Sequence, residues 1–451
     1  MNAANTLGED REAPPAGGAA RRAGGCSMLH RLYNALWYPA LPIALALSGG
    51  ARDAETRRAR MGRGWHGVRA AAVPGAARIW THASSVGEIG ALGALVNAIA
   101  RERPGATFIV TAMTAAGREA ARRAMPAAQA HLPAPLDAPA ALDRFLRATR
   151  PTLVLIAETE LWPNYFVRSR RAGARVAIVN GRISERAFAR YRYVHPLLRD
   201  TLAAAEMVLA QTEEDARRFV RLGAAPARVF VTGNTKLDGA SLTAAPLRTE
   251  IALFMSGRPV LVAGSTAPGE EHIVIEGWRE LRGRFARLGL VIAPRHLGRA
   301  AEVGEILRRA KVEFAAASSI DASAARSRDA LLLDSMGELR AVYTRAAVAL
   351  VGGSLLPGRG GQSLAEPAAA AVPVLFGPYH ENQRAMAAAL LECRAGTVVR
   401  DAAELARTIG ELLANEPARV ETGRRARAAV ERMAGGVAAT MARLRPLLGG
   451  E

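Results

Sequence analysis

From about residue 77 onward, short uninterrupted apolar runs alternate with alanine-rich stretches of helical character. The runs ARIWTH, TFIVTA, LVLIAE, RVAIVN, MVLAQ and VFVTG fill the first half, and PVLVAG, GLVIAP, ALLLD, AVALVGG and VPVLFG the second. Runs this continuous suit parallel strands covered on both faces, because a strand with one wet face alternates apolar and polar residues. Repeated strand–helix alternation predicts an α/β chain with doubly wound sheets. Residues 239–257, GASLTAAPLRTEIALFMSG, break the rhythm and read as a linker. They separate residues 62–238 from 258–430, giving two Rossmann-like domains that face a cleft, with ligands expected at the carboxyl ends of the strands. Residues 431–451 read as a C-terminal helix or tail.

The N-terminal end follows another pattern. Residues 1–27 are rich in Ala, Gly, Pro and Arg without apolar periodicity, and predict a disordered tail. Residues 28–51 are mostly apolar and carry no charge from Leu32 to Ala51. Arg21, Arg22 and Arg31 precede this stretch, and Arg52, Arg57, Arg58 and Arg60 follow it. A spanning helix needs about 20 apolar residues, and Pro39 and Pro42 interrupt this one. A signal peptide lacks dense positive charge just after it. The reading favoured is a membrane-dipping anchor with Tyr33, Trp37 and Tyr38 at headgroup level, and a single span comes second. An ordinary core helix is disfavoured by the two prolines.

Composition adds little on its own. At 451 residues the chain exceeds one usual core, and 50% hydrophobic with 22% charged residues is ordinary for a globular protein. The net charge of +19 is almost all arginine, since Lys236 and Lys311 are the only lysines. It fits a solvated arginine-rich exterior as well as attraction to anionic lipid or a phosphorylated substrate. Nucleic acid is not expected as a partner, for no recognition motif accompanies the arginines. Cys26 and Cys393 match no metal spacing and no disulfide framework. His82, Asp137 and Asp334 form no ligand cluster, so no metal and no cofactor is expected.

Two constellations carry candidate chemistry in the first half. In IWTHASSVGEIG, a strand ends near His82 and a helix begins around Ser85. Ser85 and Glu88 have capping-box spacing, so Glu88 reads as a helix cap. It also stands at the carboxyl end of a buried strand, where a general base belongs. The two readings are compatible, and both stay open. In LVLIAETELWPNYF, Glu158 and Glu160 follow a strand and precede Trp162-Pro163. On an extended segment alternate residues point the same way, so both carboxylates would enter the cleft. The competing reading is a helix start with Pro163 at its first position and acids near the positive dipole end.

The segments HASSVGE, AETELWPN, NGRISERAF, GNTKLD, AGSTAPGEE, APRH, DSMGEL and VGGSL occur in this order. Taken together they resemble the Kdo transferase family, the 3-deoxy-D-manno-octulosonic-acid transferases of lipopolysaccharide assembly, over nearly the whole chain from about Leu29 to 430. The resemblance implies the two-domain GT-B glycosyltransferase fold, a membrane anchor, CMP-Kdo as donor and a lipid A precursor as acceptor. It implies that Glu88 takes the proton of the acceptor hydroxyl in an inverting displacement, and that Glu158, Glu160 and Lys236 support the same cleft. In the second domain, Ser265 and Thr266 would offer donors to a phosphate at a helix N-terminus, or serve only as an ordinary cap. Pro294 and Arg295 end another strand, and Arg295 suits a bidentate phosphate or carboxylate contact. Met336, Gly337 and Glu338 match the family's CMP-binding stretch, and Glu366 the ribose-holding acid of sugar-nucleotide transferases. After Gly361 the chain departs from the family's frequent His-Asn-Pro wording and reads Gln362-Ser363-Leu364. Both polar residues keep hydrogen-bonding capacity for the donor.

The expected setting is the cytoplasmic face of the inner membrane, in contact with its lipids. A rival of the same fold is a UDP-sugar lipid glycosyltransferase or epimerase. A Rossmann oxidoreductase would need a GxGxxG after the first strand, and HASSVGE supplies no such glycines. A non-catalytic lipid-binding protein would release no CMP.

Overall fold

The computed structural model describes residues 27–47, 54–63, 76–238 and 246–449. The tail expected over 1–27 lies outside the described residues except for Ser27, as do residues 48–51 of the expected anchor and 239–245 of the linker.

Two parallel sheets of seven strands form the body. The first contains β1 (Arg78–Ala83), β2 (Thr107–Ala112), β3 (Ala130–Pro133), β4 (Leu153–Ala157), β5 (Arg175–Gly181), β6 (Met207–Ala210) and β7 (Val229–Val231). The second contains β8 (Val260–Thr266), β9 (Gly289–Pro294), β10 (Phe314–Ala316), β11 (Ala330–Leu332), β12 (Val348–Val351), β13 (Val374–Phe376) and β14 (Gly396–Val398). Their orders are β3-β2-β1-β4-β5-β6-β7 and β10-β11-β9-β8-β12-β13-β14, both doubly wound. Each sheet is covered on both faces, which is why its central strands read as unbroken apolar runs. In the first, Trp80, Ile156 and Ile178 face one layer of helices and Ile79, Leu155 and Val179 the other. In the second, Leu261, Leu290 and Leu350 oppose Val262, Val291 and Ala349 in the same way.

Three strands escaped the pattern. β3, β10 and β14 are short and only half-buried or more exposed. β3 and β10 lie at one edge of their sheets and β14 at the other edge of the second. An edge strand has fewer covered positions, so its sequence need not be a continuous apolar run.

The N-terminal stretch corrects an expectation. Residues Met28–Leu47 form one helix with Pro39 and Pro42 inside it, although an interior proline costs roughly 3 kcal/mol. Packing on the first domain supplies the compensation. Trp37, Leu41, Ala44 and Leu45 pack against Leu136, Ala138 and Ala141. Tyr33 donates to Asp137 Oδ2 at 2.8 Å, His30 Nε2 meets Asn164 Oδ1 at 3.0 Å, and Asn164 donates to Asn34 Oδ1 at 2.8 Å. The opposite side leaves Met28, Leu29, Leu32, Leu36, Tyr38 and Ile43 exposed. Among the described residues no helix is long and apolar enough to cross a membrane, because this one keeps polar groups for its contact with the domain.

The C-terminal helix returns to the first domain. Asp238 accepts from Gly435 N and Val437 N, both at 2.9 Å, and so caps the helix Gly436–Leu444. Met441, Leu444, Leu447 and Leu448 from this end join the core of the first sheet. Arg445 meets Glu102 at 2.9 Å there. Residues Thr249–Met255, within the expected linker, form a helix that buries Ile251, Phe254 and Met255.

Candidate active site

In each sheet the strand order reverses between two neighbours, β1 and β4 in the first, β8 and β12 in the second. Helices leave such a switch point on opposite faces, which opens a crevice at the carboxyl ends of the strands. The predicted residues of the first domain gather at its crevice.

After β1, Ser85 caps the helix Val86–Glu102 in a complete capping box. Glu88 Oε2 accepts from Ser84 N at 2.5 Å and from Ser85 N at 3.3 Å. Oε1 takes no hydrogen bond among the described residues. The two sequence readings thus fall on different atoms: one oxygen caps, and the other is open. Burial raises the Glu88 pKa, aided by the charges of Glu160 and Glu158 and opposed by the Ser84 amide.

Beyond β4, Glu158 adopts a left-handed backbone, φ 49°. Its Oε1 meets Lys236 Nζ at 2.5 Å and Asn180 Nδ2 at 3.4 Å. Asn180, at the bulged end of β5, is itself left-handed at φ 51° and accepts from Thr235 N at 3.0 Å. That bond places the turn carrying Lys236. Such backbone is uncommon outside glycine, and here it re-aims two side chains at the crevice. Glu158 and Glu160 converge through this turn and not through the extended alternation expected from sequence. Glu160 accepts from Trp162 Nε1 at 2.7 Å. His82, fully buried, points Nε2 toward Glu160 Oε2 from 3.7 Å, beyond hydrogen-bond reach. Burial would raise the Glu160 pKa, but the His82 imidazole, the Trp162 indole N–H and the nearby Ser84 side chain outweigh it and hold the carboxyl below its ordinary value. The crevice therefore pairs a carboxyl held low with one pushed high, the division of labour expected of acid–base sites.

The second-domain candidates lie after four adjacent strands, β11, β9, β8 and β12. Ser265 is left-handed, φ 58°, at a register shift between β8 and β9. Thr266 is buried, and its hydroxyl donates to Glu271 Oε1 at 2.8 Å. Pro294 is buried at the end of β9, and Arg295 is exposed, its amide donating to Thr266 O at 3.0 Å. Met336 is exposed, Gly337 left-handed at φ 86°, and Glu338 pairs with Arg248 at 2.6 Å. Gly361 is buried, Gln362 and Ser363 half-buried, and Glu366 meets Arg340 at 3.4 Å. The two domains touch where Arg182 donates to Asn382 O at 3.0 Å, and where Glu185 and Arg384 approach to 3.5 Å.

The family of 3-deoxy-D-manno-octulosonic-acid transferases (kdotransferases) matches residues 55–239. A 3-deoxy-D-manno-octulosonic acid transferase of Bordetella pertussis is 36% identical over 402 residues, covering 87% of this chain and 91% of its own. The chain belongs to that family. A Chlamydia trachomatis member is 31% identical over 345 residues, 75% of this chain and 78% of its own. The Kdo-transferase chain shares its fold with a glycosyltransferase of Rickettsia africae, TM-score 0.57 at 12% identity, covering 83% of this chain and 100% of that one. A putative UDP-N-acetylglucosamine 2-epimerase of Listeria monocytogenes gives TM-score 0.55 at 15% identity, covering 82% and 95%. These two show the GT-B-like architecture alone. Membership makes the chain a glycosyltransferase of lipopolysaccharide assembly.

Four residues at or beneath these crevices were not among those expected from sequence to act there. Asn180 and His82 close the apolar runs of β5 and β1, and a polar residue closing such a run is itself a signal. Glu270 and Glu271 resemble solvated helix-start acids in sequence, yet both are fully buried.

Proposed function

We propose that this chain transfers Kdo from CMP-Kdo to a lipid A precursor with inversion, Glu88 being the general base. The observation that carries the reading is Glu88 Oε1: open, at a switch-point crevice, on a carboxyl whose pKa is raised toward working pH. Glu88 takes the proton of the acceptor hydroxyl, and that oxygen forms a bond to the anomeric carbon of Kdo. The bond from that carbon to the phosphate oxygen breaks on the opposite side, and CMP leaves with the electron pair. Lys236 neutralises Glu158, so the crevice gathers three carboxyl groups without their full mutual repulsion. Glu160, held ionised, keeps the Glu88 pKa raised. Arg295 and the residues after β8, β11 and β12 face the donor from the second domain, Arg295 suiting the phosphate and Glu366 the ribose.

The chain would work on the cytoplasmic face of the inner membrane. The exposed face of the Met28–Leu47 helix supports this, with Leu29, Leu32, Leu36 and Ile43 outward and Arg31, Arg57 and Arg58 nearby in sequence. That pattern suits a helix lying in the interface plane and held by anionic lipid, not one that spans.

The test is CMP release from CMP-Kdo with and without the tetraacylated lipid A precursor, for native protein and Glu88→Gln. Release that needs the lipid, and is lost in the variant while CMP still binds, supports the reading. Turnover of UDP-sugars by a protein inert toward CMP-Kdo overturns it.

A further inference from the structure

Glu270 opens the helix Glu270–Arg282 and is fully buried. No cation pairs with it among the described residues. Its carboxylate is satisfied by four backbone amides instead. Oε2 accepts from Ala267 N at 2.8 Å and Gly353 N at 2.7 Å. Oε1 accepts from Ser354 N at 2.9 Å and Leu355 N at 2.8 Å. Three consecutive amides of the loop after β12 thus converge on a single side chain beneath it. Successive amides arranged in this way form an anion nest, and here the anion is the protein's own.

The sequence of the loop fits that arrangement. A Cβ on Gly352 would lie 2.6 Å from Thr266 Cα and 2.8 Å from Glu270 Oε2, so only glycine fits. Gly353 is left-handed, φ 68°. With its amides turned inward, the loop presents its carbonyls to the returning chain: Gly361 N donates to Gly353 O at 2.7 Å, and Gln362 N to Gly352 O at 3.2 Å. The Gln362 side chain lies across Gly353, its Cγ and Nε2 each 3.3 Å from where a Cβ would be. Ser354 continues the network, donating to Val351 O at 2.6 Å and accepting from Gly377 N at 2.8 Å.

We infer that Glu270 is a positioning residue for donor binding: its buried carboxylate sets the Gly352–Leu355 turn on which Gln362 and Ser363 are placed. This rests on the reading of the second domain as the CMP-Kdo half. A second consequence follows from the same bonds. The amides of Gly353, Ser354 and Leu355 are already occupied, so the donor phosphate is met by side chains such as Arg295 and not by this loop's backbone. A neutral aliphatic side chain at 270 would leave four buried donors unpaired. Even glutamine fails, for whichever way its amide turns, an NH2 group faces two N–H donors.

The test compares native protein, Glu270→Gln and Leu405→Ala. The last deletes buried apolar contacts of the same domain where Leu405 packs near Gly277 of the Glu270 helix, and controls for loss of stability. Amide exchange is read in ligand-free protein, and KM for CMP-Kdo and kcat are read with lipid acceptor. Expected for Glu270→Gln are at least tenfold faster exchange at Gly353, Ser354 and Leu355, a tenfold or greater rise in KM, and kcat within about threefold of native. Leu405→Ala should lower the melting temperature yet keep the native KM. Unchanged exchange at those amides overturns the inference, as does an unchanged KM in Glu270→Gln or an equal KM rise in Leu405→Ala. Native protein that binds no CMP overturns the donor reading instead, and exchange alone then decides whether Glu270 holds the loop.

Discussion

Lys236 Nζ lies 2.5 Å from Glu158 Oε1, joining the turn Thr235–Leu237 to the end of β4. A Cβ on Gly87 would stand 4.0 Å from the same ammonium nitrogen, so the cation also adjoins the turn that carries Glu88. Replacing Lys236 by Met leaves the buried Glu158 carboxylate without its cation. The expected loss is about 2 kcal/mol, between the limits for exposed and buried pairs. Thermal unfolding should show the double variant with Glu158→Gln recovering part of that loss. Additive losses in the cycle would mean the pair is not coupled.

Glu88 has two duties that one substitution can separate. Glutamine at 88 keeps an acceptor oxygen for the Ser84 and Ser85 amides, since a capping box accepts Gln, but it takes up no proton. Glu88→Gln should therefore keep the native melting temperature within a degree or two and lose roughly 10²- to 10⁴-fold in kcat. Glu88→Ala should lose both activity and about 1 kcal/mol of stability with the cap. Retained activity in Glu88→Gln would leave Glu88 a cap alone.

The pH dependence follows from the same cluster. A base acts when deprotonated, so kcat/KM rises with pH through the Glu88 pKa. That acid limb should lie above the ordinary 4.5, because burial and the charges of Glu160 and Glu158 raise it. Glu160→Gln removes one of those charges, and the limb should move to lower pH. A limb that stays put or moves upward would show that Glu160 does not act on Glu88 through charge.

Asp137 gives a stability test. Burial pushes its carboxyl up to about 7, against hydrogen bonds from Asn164 N, Tyr33 and Tyr165 N. The folded state then holds a proton that the unfolded chain, with a pKa near 3.8, has released. Between those values stability falls as pH rises, by at most about 1.4 kcal/mol per pH unit from this group. Denaturant midpoints from pH 4 to 8 should show the slope, and Asp137→Asn should flatten it.

Leu32 and Leu36 on the outer face of the N-terminal helix are more than half exposed. Leu32→Glu with Leu36→Glu should leave the melting temperature unchanged and weaken binding to anionic vesicles at least tenfold. Undiminished binding would rule this face out as a lipid contact.

Central strands were legible in the sequence because burial on both faces demands continuous apolar runs, as in LVLIA and RVAIV. The edge strands β3, β10 and β14 were not, since partial exposure relaxes that demand. Glu88, Glu158, Glu160 and Lys236 were legible as residues because each follows an apolar run or belongs to an ordered motif.

Their mutual geometry was not legible. That Lys236 reaches Glu158 across 78 positions depends on Asn180 receiving the Thr235 amide, and on left-handed backbone at Glu158 and Asn180. The sequence by itself determined the α/β class, the family and the residues that carry charge into the cleft, because these rest on local pattern and ordered motifs. Only the tertiary structure decided which acids are buried or paired, as with Glu270 against Glu88. It also decided that a proline-bearing apolar stretch lies as a helix against the domain. Burial and pairing are properties of what surrounds a residue in space, and two helix-start glutamates look alike until the opposing loop is in place.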